Sequence, residues 1–267
     1  MNLGLEKKVV LIVGASRGIG AATARAFAGE RASLALVSRG RDGLEELANE
    51  VRHAHPSIEI LTISRDATEP GCAEAVTEEV LKRFGRLDVL VNNAGAGLRR
   101  PFEQLSESEW SECLDLNLMS AIRFSRAVLP AMKKLGQGRI INLGAVSATR
   151  PRRGQIASNV AKAGLVHFTR SLAMEVGPHH VLVNAVCPGS VEGSRWRARF
   201  EALAKELQKP VEEVIRDAAS RTIPLGRAGK PEEVAGLIVF LAGEQSSYMT
   251  GIVVDVDGGL GIGMFAE

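Results

Sequence analysis

Seven short runs of apolar residues recur along the chain, and longer segments with helical spacing separate most of them. The runs are Lys8–Val13, Ser33–Val37, Ile58–Ile63, Leu87–Val91, Arg139–Leu143, Val181–Val186 and Ile252–Val256. Each is rich in Val, Ile and Leu and nearly continuous, as expected of strands buried on both faces in a parallel sheet. Helical patterns fall at Ile19–Gly29, Asp42–Ala54, Ala73–Phe84, Glu107–Lys134, Ala157–Val176 and Glu232–Ala242. A βαβα series of this kind predicts an α/β fold, a doubly wound parallel sheet with helices on both faces. With no internal repeat, low-complexity tract or Pro/Gly linker, residues 1–267 read as one domain. The polar, helix-favouring segment Gly193–Ile223 interrupts the alternation after a late strand, where ligands bind in such sheets. We read it as a substrate lid; a surface excursion without function also satisfies the pattern.

Several function classes are disfavoured at once. A net charge of +2 gives no case for nucleic acid or a membrane surface as the partner. Lys7 and Lys8 precede an apolar run that stops at Gly14, too short for a signal-peptide core, and no later run approaches a bilayer span. Cys72, Cys113 and Cys187 are odd in number and widely spaced, fitting neither a disulfide framework nor a zinc site. The histidines His53, His55, His179 and His180 show no ligand spacing, so no metal is expected. Together these features suggest a cytoplasmic location.

The first apolar run leads into Gly14-Ala15-Ser16-Arg17-Gly18-Ile19-Gly20 and then into a helix. Glycines allow a sharp turn and close approach to a pyrophosphate, whose charge sits against the unpaired N–H groups of the helix start. The spacing is GxxxGxG, and the strand before and helix after make it a dinucleotide cradle. The second run ends in Ser38-Arg39 where an NAD site would carry an acid. Arg39, with Arg17 inside the glycine loop, favours NADP(H) over NAD(H).

With those residues in place, the chain resembles a classical short-chain dehydrogenase/reductase over essentially its whole length. The markers are Gly14–Gly20, Asp66, Asn92-Asn93-Ala94-Gly95, Asn117, Lys162, Asn184 through Pro188-Gly189, and Thr250-Gly251 through Gly259. The stretch Gly138–Val166 is similar to the 3-oxoacyl-carrier-protein reductase branch. The resemblance implies a Rossmann-type sheet of seven strands, hydride transfer between a nicotinamide and an alcohol or ketone, and a homotetramer or homodimer. It implies that Asp66 and Ala67 hold the adenine, that Asn93, Ala94 and Gly95 line the cofactor, and that Pro188, Gly189 and Val191 sit by the nicotinamide. Gly193 stands where many relatives have a threonine that binds the carboxamide, with Ser194 beside it.

The family uses Asn, Ser, Tyr and Lys for proton transfer, and this chain departs from that set. Four residues before Lys162, on the same helix face, the tyrosine position holds Ser158. The serine position after the fifth strand holds Ala145, with Ser147 the nearest spare hydroxyl. Asn117 and Lys162 remain, and the single tyrosine, Tyr248, lies elsewhere. A phenol with a pKa near ~10 can be brought toward neutrality by an ammonium, whereas a serine hydroxyl is a far weaker acid on a shorter side chain. Three readings follow. In one, an NADP(H)-dependent oxidoreductase passes its proton through water held by Lys162, Ser158 and Asn117, or takes it from the substrate. In another, the protein binds cofactor without catalysis, as a subunit or sensor. In the third, a lyase or epimerase reuses the pocket.

Arginines crowd the loops after the strands: Arg99 and Arg100; Arg150, Arg152 and Arg153; and Arg195, Arg197 and Arg199 against Glu192. They suggest a small anionic substrate, although a solvated rim or a subunit contact would carry the same charge. The helices Glu107–Lys134 and Ala157–Val176 carry more apolar positions than one sheet face needs, consistent with a helix-bundle contact between copies.

Overall fold

A computed structural model describes residues 2–262, with the Arg195 side chain outside the described set. Seven parallel strands form one sheet in the order β3-β2-β1-β4-β5-β6-β7. They are β1 (Val9–Val13), β2 (Ser33–Ser38), β3 (Ile60–Ser64), β4 (Val89–Asn92), β5 (Gly138–Leu143), β6 (Val181–Pro188) and β7 (Val253–Val256). All seven expected strands are present, with ends displaced by no more than about two residues, the usual latitude of such boundaries.

The nearly continuous apolar runs are explained by burial on both faces, since successive side chains of a strand point to opposite sides. Val10, Ile12, Leu34 and Leu36 pack under α1 (Gly18–Gly29), α2 (Arg41–Ala54) and α9 (Pro231–Ala242). Val9, Leu11, Val13, Ala35 and Val37 face the opposite layer. That layer is α3 (Cys72–Phe84), α5 (Ser120–Leu135) and α6 (Ile156–Val176), contributing Val76, Phe124, Val128, Met132 and Leu172 to the core. The chain reverses direction across the sheet between β1 and β4, which opens a crevice at their carboxyl ends.

One expected helix is divided. Glu107–Lys134 folds as α4 (Glu107–Leu114), a π turn at Asp115–Met119, and α5. Ser106 starts α4 with a capping box, its hydroxyl accepting from Glu109 N and the Glu109 carboxylate accepting from Ser106 N. In the π turn the Ser120 N–H reaches five residues back to Asp115 O. Turns of this kind recur at functional sites, and hydrophobic periodicity alone does not reveal them.

The segment Gly193–Ile223 contains two helices, α7 (Ser194–Leu207) and α8 (Val211–Thr222). Phe200, Ala204 and Val214 give this hairpin an apolar cluster separate from the sheet core, and the Trp196 and Phe200 rings lie 4.8 Å apart. No described helix is long and apolar enough to cross a membrane.

Candidate active site

The carboxyl ends of β1, β2, β4, β5 and β6 open onto one groove of about 960 Å³. At its floor the β1–α1 loop turns through Gly14 at φ +86, where a Cβ would lie 2.8 Å from Ala94 N. Asn93 fastens the same turn, its Nδ2 donating to Gly14 O at 2.6 Å. Gly18 is also left-handed, at φ +56, and the space a Cβ would take there is open. Arg17 caps α1 without a side-chain hydrogen bond, leaving the first N–H groups of the helix for an external acceptor. Ser16, Arg17, Gly18 and Ile19 line the groove. Gly20 does not: it packs beneath the loop, where a Cβ would overlap Gly14 O and Asn93 Nδ2. This cradle fits a pyrophosphate.

At the far end of the groove, Ser38 and Arg39 close β2, and Asp66 and Ala67 follow β3. Asp66 Oδ1 accepts from Thr68 N at 2.9 Å and Thr68 Oγ1 at 2.7 Å, while Arg39 stands 3.8 Å from the other oxygen. Burial pushes the Asp66 carboxyl up, but Thr68 and Arg39 outweigh it and hold it below the usual carboxylate range. Arg65, overlooked in the sequence, lines this end beside Arg39. Two guanidinium groups here suit a phosphorylated ribose.

At the other end, the π turn presents Asn117, whose amide binds the neighbouring backbone. Nδ2 donates to Ala96 O and Cys113 O at 3.0 Å each, and Oδ1 accepts from Ala96 N at 3.1 Å. Asn117 thus clamps the loop after β4 on both sides. Lys162, half-buried on α6, donates from Nζ to Leu143 O at 2.7 Å. Loss of hydration pushes its ammonium down to about 8, against weak opposition from the Cys187 and Cys113 thiols. A Cβ at Gly95 would stand 2.9 Å from Asn117 Oδ1 and 3.3 Å from Lys162 Nζ, so only glycine passes comfortably between them.

Ser158 is buried and lines the groove. Its Oγ accepts from Leu98 N at 2.8 Å and lies 3.7 Å from Cys113 Sγ. Ala145 and Ser147 line the groove opposite, after β5, and Pro188, Gly189 and Val191 line it after β6. Beneath them, Asn92 and Asn142 stand in register on β4 and β5, and Asn92 Nδ2 donates to Asn142 Oδ1 at 2.9 Å. Asn142 Nδ2 continues to Thr169 Oγ1 at 2.9 Å on α6. This buried chain ties the strand ends to the helix bearing Lys162 and Ser158.

The family model described as Enoyl-(Acyl carrier protein) reductase matches residues 14–261. The 3-oxoacyl-[acyl-carrier-protein] reductase FabG of Vibrio cholerae is 36% identical, over 97% of this chain and 99% of the relative. The chain belongs to the short-chain dehydrogenase/reductase family. The family is one of oxidoreductases with a Rossmann fold, as the solved relatives illustrate. L-sorbose reductase from Gluconobacter frateurii, complexed with NADPH and L-sorbose, superposes with a TM-score of 0.95 at 34% identity, covering 97% of this chain and 98% of that one. An NADPH-bound short chain oxidoreductase from Pseudomonas aeruginosa PAO1, described as containing an atypical catalytic center, gives 0.88 at 33% identity, covering 96% and 98%.

Within this family member, the structure sorts the rim arginines by their partners. Arg100 pairs with Glu109 at 3.0 Å, and Arg197 pairs with Glu201 at 3.2 Å and Glu212 at 2.8 Å. The Arg195 side chain lies outside those described. Arg152 lines the groove, as do Gln155, Ser194 and Trp196. Sequence reading missed Leu98 and Cys113 as partners of Ser158, because nothing in the sequence shows a backbone N–H meeting a helix side chain. It also missed Asn142, for which a signal existed: a lone amide inside the apolar run Ile140–Leu143. Among the described residues no group of acids, histidines and cysteines is arranged to hold a metal ion.

Proposed function

We propose that the protein is an NADP(H)-dependent oxidoreductase of small alcohols or ketones in which Lys162 itself handles the proton. The observation that carries this reading is the state of the three side chains around the reactive end. Asn117 clamps the loop through its amide, Ser158 accepts from Leu98 N, and Lys162 brings a titratable ammonium, bonded to Leu143 O, to the groove lining. The family's serine and tyrosine positions hold Ala145 and Ser158, so neither offers an acid of useful strength. The relatives solved with NADPH, one with an atypical centre, support the same cofactor and a non-standard site.

When bound, NADP(H) supplies the hydride chemistry. Ser16, Arg17, Gly18 and Ile19 would hold the pyrophosphate, Arg39 and Arg65 the ribose phosphate, Asp66 and Ala67 the adenine, and Asn93 to Gly95 the passage between. Pro188, Gly189 and Val191 would shape the nicotinamide end. In reduction, the Lys162 ammonium would release its proton through a water molecule to the substrate oxygen. Lys162 then recovers its proton from solvent, and oxidation reverses these transfers. General acid–base help of this kind contributes about 10²–10⁴-fold. Asn117 acts by fixing the β4 loop, and the α7–α8 hairpin, with Trp196 facing the groove, serves as the lid of a one-domain chain. The surplus of rim arginines favours a negatively charged substrate. Ile156, Val160 and Met174 leave an apolar face exposed on α6, which favours pairing of copies into a dimer or tetramer.

One observation favours a second reading, cofactor binding without turnover: the position four residues before Lys162 holds a serine whose Oγ accepts from the backbone of the β4 loop. Titration with NADPH and NADH, followed by a carbonyl panel, separates the two. Tighter NADPH binding with NADPH oxidation on at least one carbonyl supports the first. Binding without oxidation across the panel supports the second, and turnover after the cofactor is stripped contradicts both.

A further inference from the structure

Strand β7 is followed by Asp257-Gly258-Gly259, a marker of the sequence none of whose residues lines the groove. The strand sets it against β6: Gly189 N donates to Val256 O at 3.0 Å, and a Cβ at Gly189 would stand 2.6 Å from Asp257 Cβ. The Asp257 carboxylate then folds the chain back, Oδ1 accepting from Gly259 N at 2.9 Å and Oδ2 from Gly261 N at 2.5 Å. The turn so formed meets two further parts of the site. On one side it holds residues 223–225, by which the α7–α8 hairpin rejoins the body. Leu225 N donates to Gly258 O at 3.1 Å, and Cβ atoms at Gly258 and Gly259 would stand 2.9 Å from Ile223 Cγ2 and 2.8 Å from Pro224 Cγ. On the other side Gly261 comes against the β5 loop, where a Cβ would lie 3.1 Å from Val146 Cγ2. Gly189 and Val146 both line the groove. The outgoing root of the hairpin is fixed separately, Gly229 N donating to Ser190 O and Glu192 N to Gly229 O at 2.9 Å each.

Given the oxidoreductase reading, on which this rests, we propose that Asp257 is a positioning residue for the reaction. Its carboxylate sets one turn that spaces three parts: the Gly189 wall at the nicotinamide end, the Val146 wall, and the return root of the α7–α8 hairpin. Contacts this close leave no slack in a packed interior, so a shift of the turn passes into all three. Both carboxylate oxygens are needed, because each faces an N–H. An asparagine of the same size would turn its own NH₂ on one of them and oppose two donors. The acid is thus required for its second acceptor. A displacement of about 1 Å between reacting groups costs up to about 10²-fold in rate. β2 and β3 stand at one edge of the sheet and β7 at the other, so the phosphorylated-ribose end at Arg39 and Arg65 stays outside the effect.

The test compares the wild type with Asp257→Asn and with Gly261→Ala, which keeps the acid and inserts a methyl between it and Val146. Well below the unfolding transition, each protein is assayed for NADPH oxidation on its best carbonyl and for binding of adenosine 2′,5′-bisphosphate. Amide hydrogen exchange is followed across residues 194–222. In both variants kcat/KM should fall at least about tenfold and exchange in the hairpin should quicken at least about tenfold, while Kd for the bisphosphate stays within about twofold. A merely structural role would loosen the whole fold, weakening the bisphosphate and quickening exchange in α3 by the same factor, and that result overturns the assignment. Unchanged kcat/KM, or unchanged hairpin exchange, in a folded variant also overturns it. If Asp257→Asn does not fold, Gly261→Ala decides on the same measurements. If the wild type oxidises NADPH with no carbonyl, the oxidoreductase reading fails, and hairpin exchange against bisphosphate binding then decides whether Asp257 holds the hairpin root.

Discussion

Replacing Lys162 by methionine should expose the energetic cost of placing an ammonium in this groove. A fall from 10.5 to about 8 corresponds to a penalty of about 3 kcal/mol at neutral pH. Methionine keeps much of the stem and removes the charge, but it leaves Leu143 O without the Lys162 donor, a loss of about 1–3 kcal/mol. At pH 7 the variant is therefore expected to be equal to the wild type or up to about 2 kcal/mol more stable. Between pH 8 and 10.5 the unfolded wild type still binds the proton that the folded state has released, so its stability rises with pH there. At pH 10 most of the penalty is gone while the lost hydrogen bond is not, and the order reverses. Urea unfolding of both proteins at pH 7 and pH 10 should show the difference moving by about 2–3 kcal/mol in favour of the wild type. A difference that stays constant across those pH values would refute the reasoning, since Lys162 would then not be desolvated.

Other outcomes follow from the same geometry. Arg39→Asp should weaken NADPH binding by about 1.5–3 kcal/mol and narrow or reverse the preference over NADH, measured by titration calorimetry. Ser158→Ala strands Leu98 N and should cost about 1–3 kcal/mol in urea unfolding, while any alkaline limb of the rate profile stays in place; loss of that limb would make Ser158 part of the proton path. The double change Ala145→Ser with Ser158→Tyr should raise ketone reduction by up to about 10²–10⁴-fold in steady-state assays, provided the Leu98 loop gives way to the phenol. No gain would show that the loop holds the pocket against it.

The sheet was legible because burial on both faces leaves an unmistakable trace, continuous apolar runs such as Val9–Val13 and Leu34–Val37 broken at turn residues. The cradle was legible for a related reason: Gly14 and Gly18 need left-handed backbone and room for a ligand, so their spacing is written into the sequence. Gly20 shares that motif for packing instead, a distinction that spacing does not carry. The π turn at Asp115–Met119 was not legible, since its apolar periodicity continues that of the helices on either side. Nor were the partners of Ser158 and Asn117, which are backbone groups of Ala96, Leu98 and Cys113 brought close only by folding. Charge behaved in between: the excess of arginine was visible, but its neutralisation by Glu109, Glu201 and Glu212 depended on tertiary placement.

The most direct measurement is a stopped-flow single turnover of the NADPH-loaded protein with its best carbonyl substrate, followed across pH 6–10. The expected result is NADPH oxidation whose rate is level at low pH and falls about tenfold per unit above roughly pH 8, with the fall absent and the rate at least about 10²-fold lower in Lys162→Met. Oxidation at the same rate in Lys162→Met, or a wild-type profile with no break in that range, would contradict Lys162 as the source of the proton.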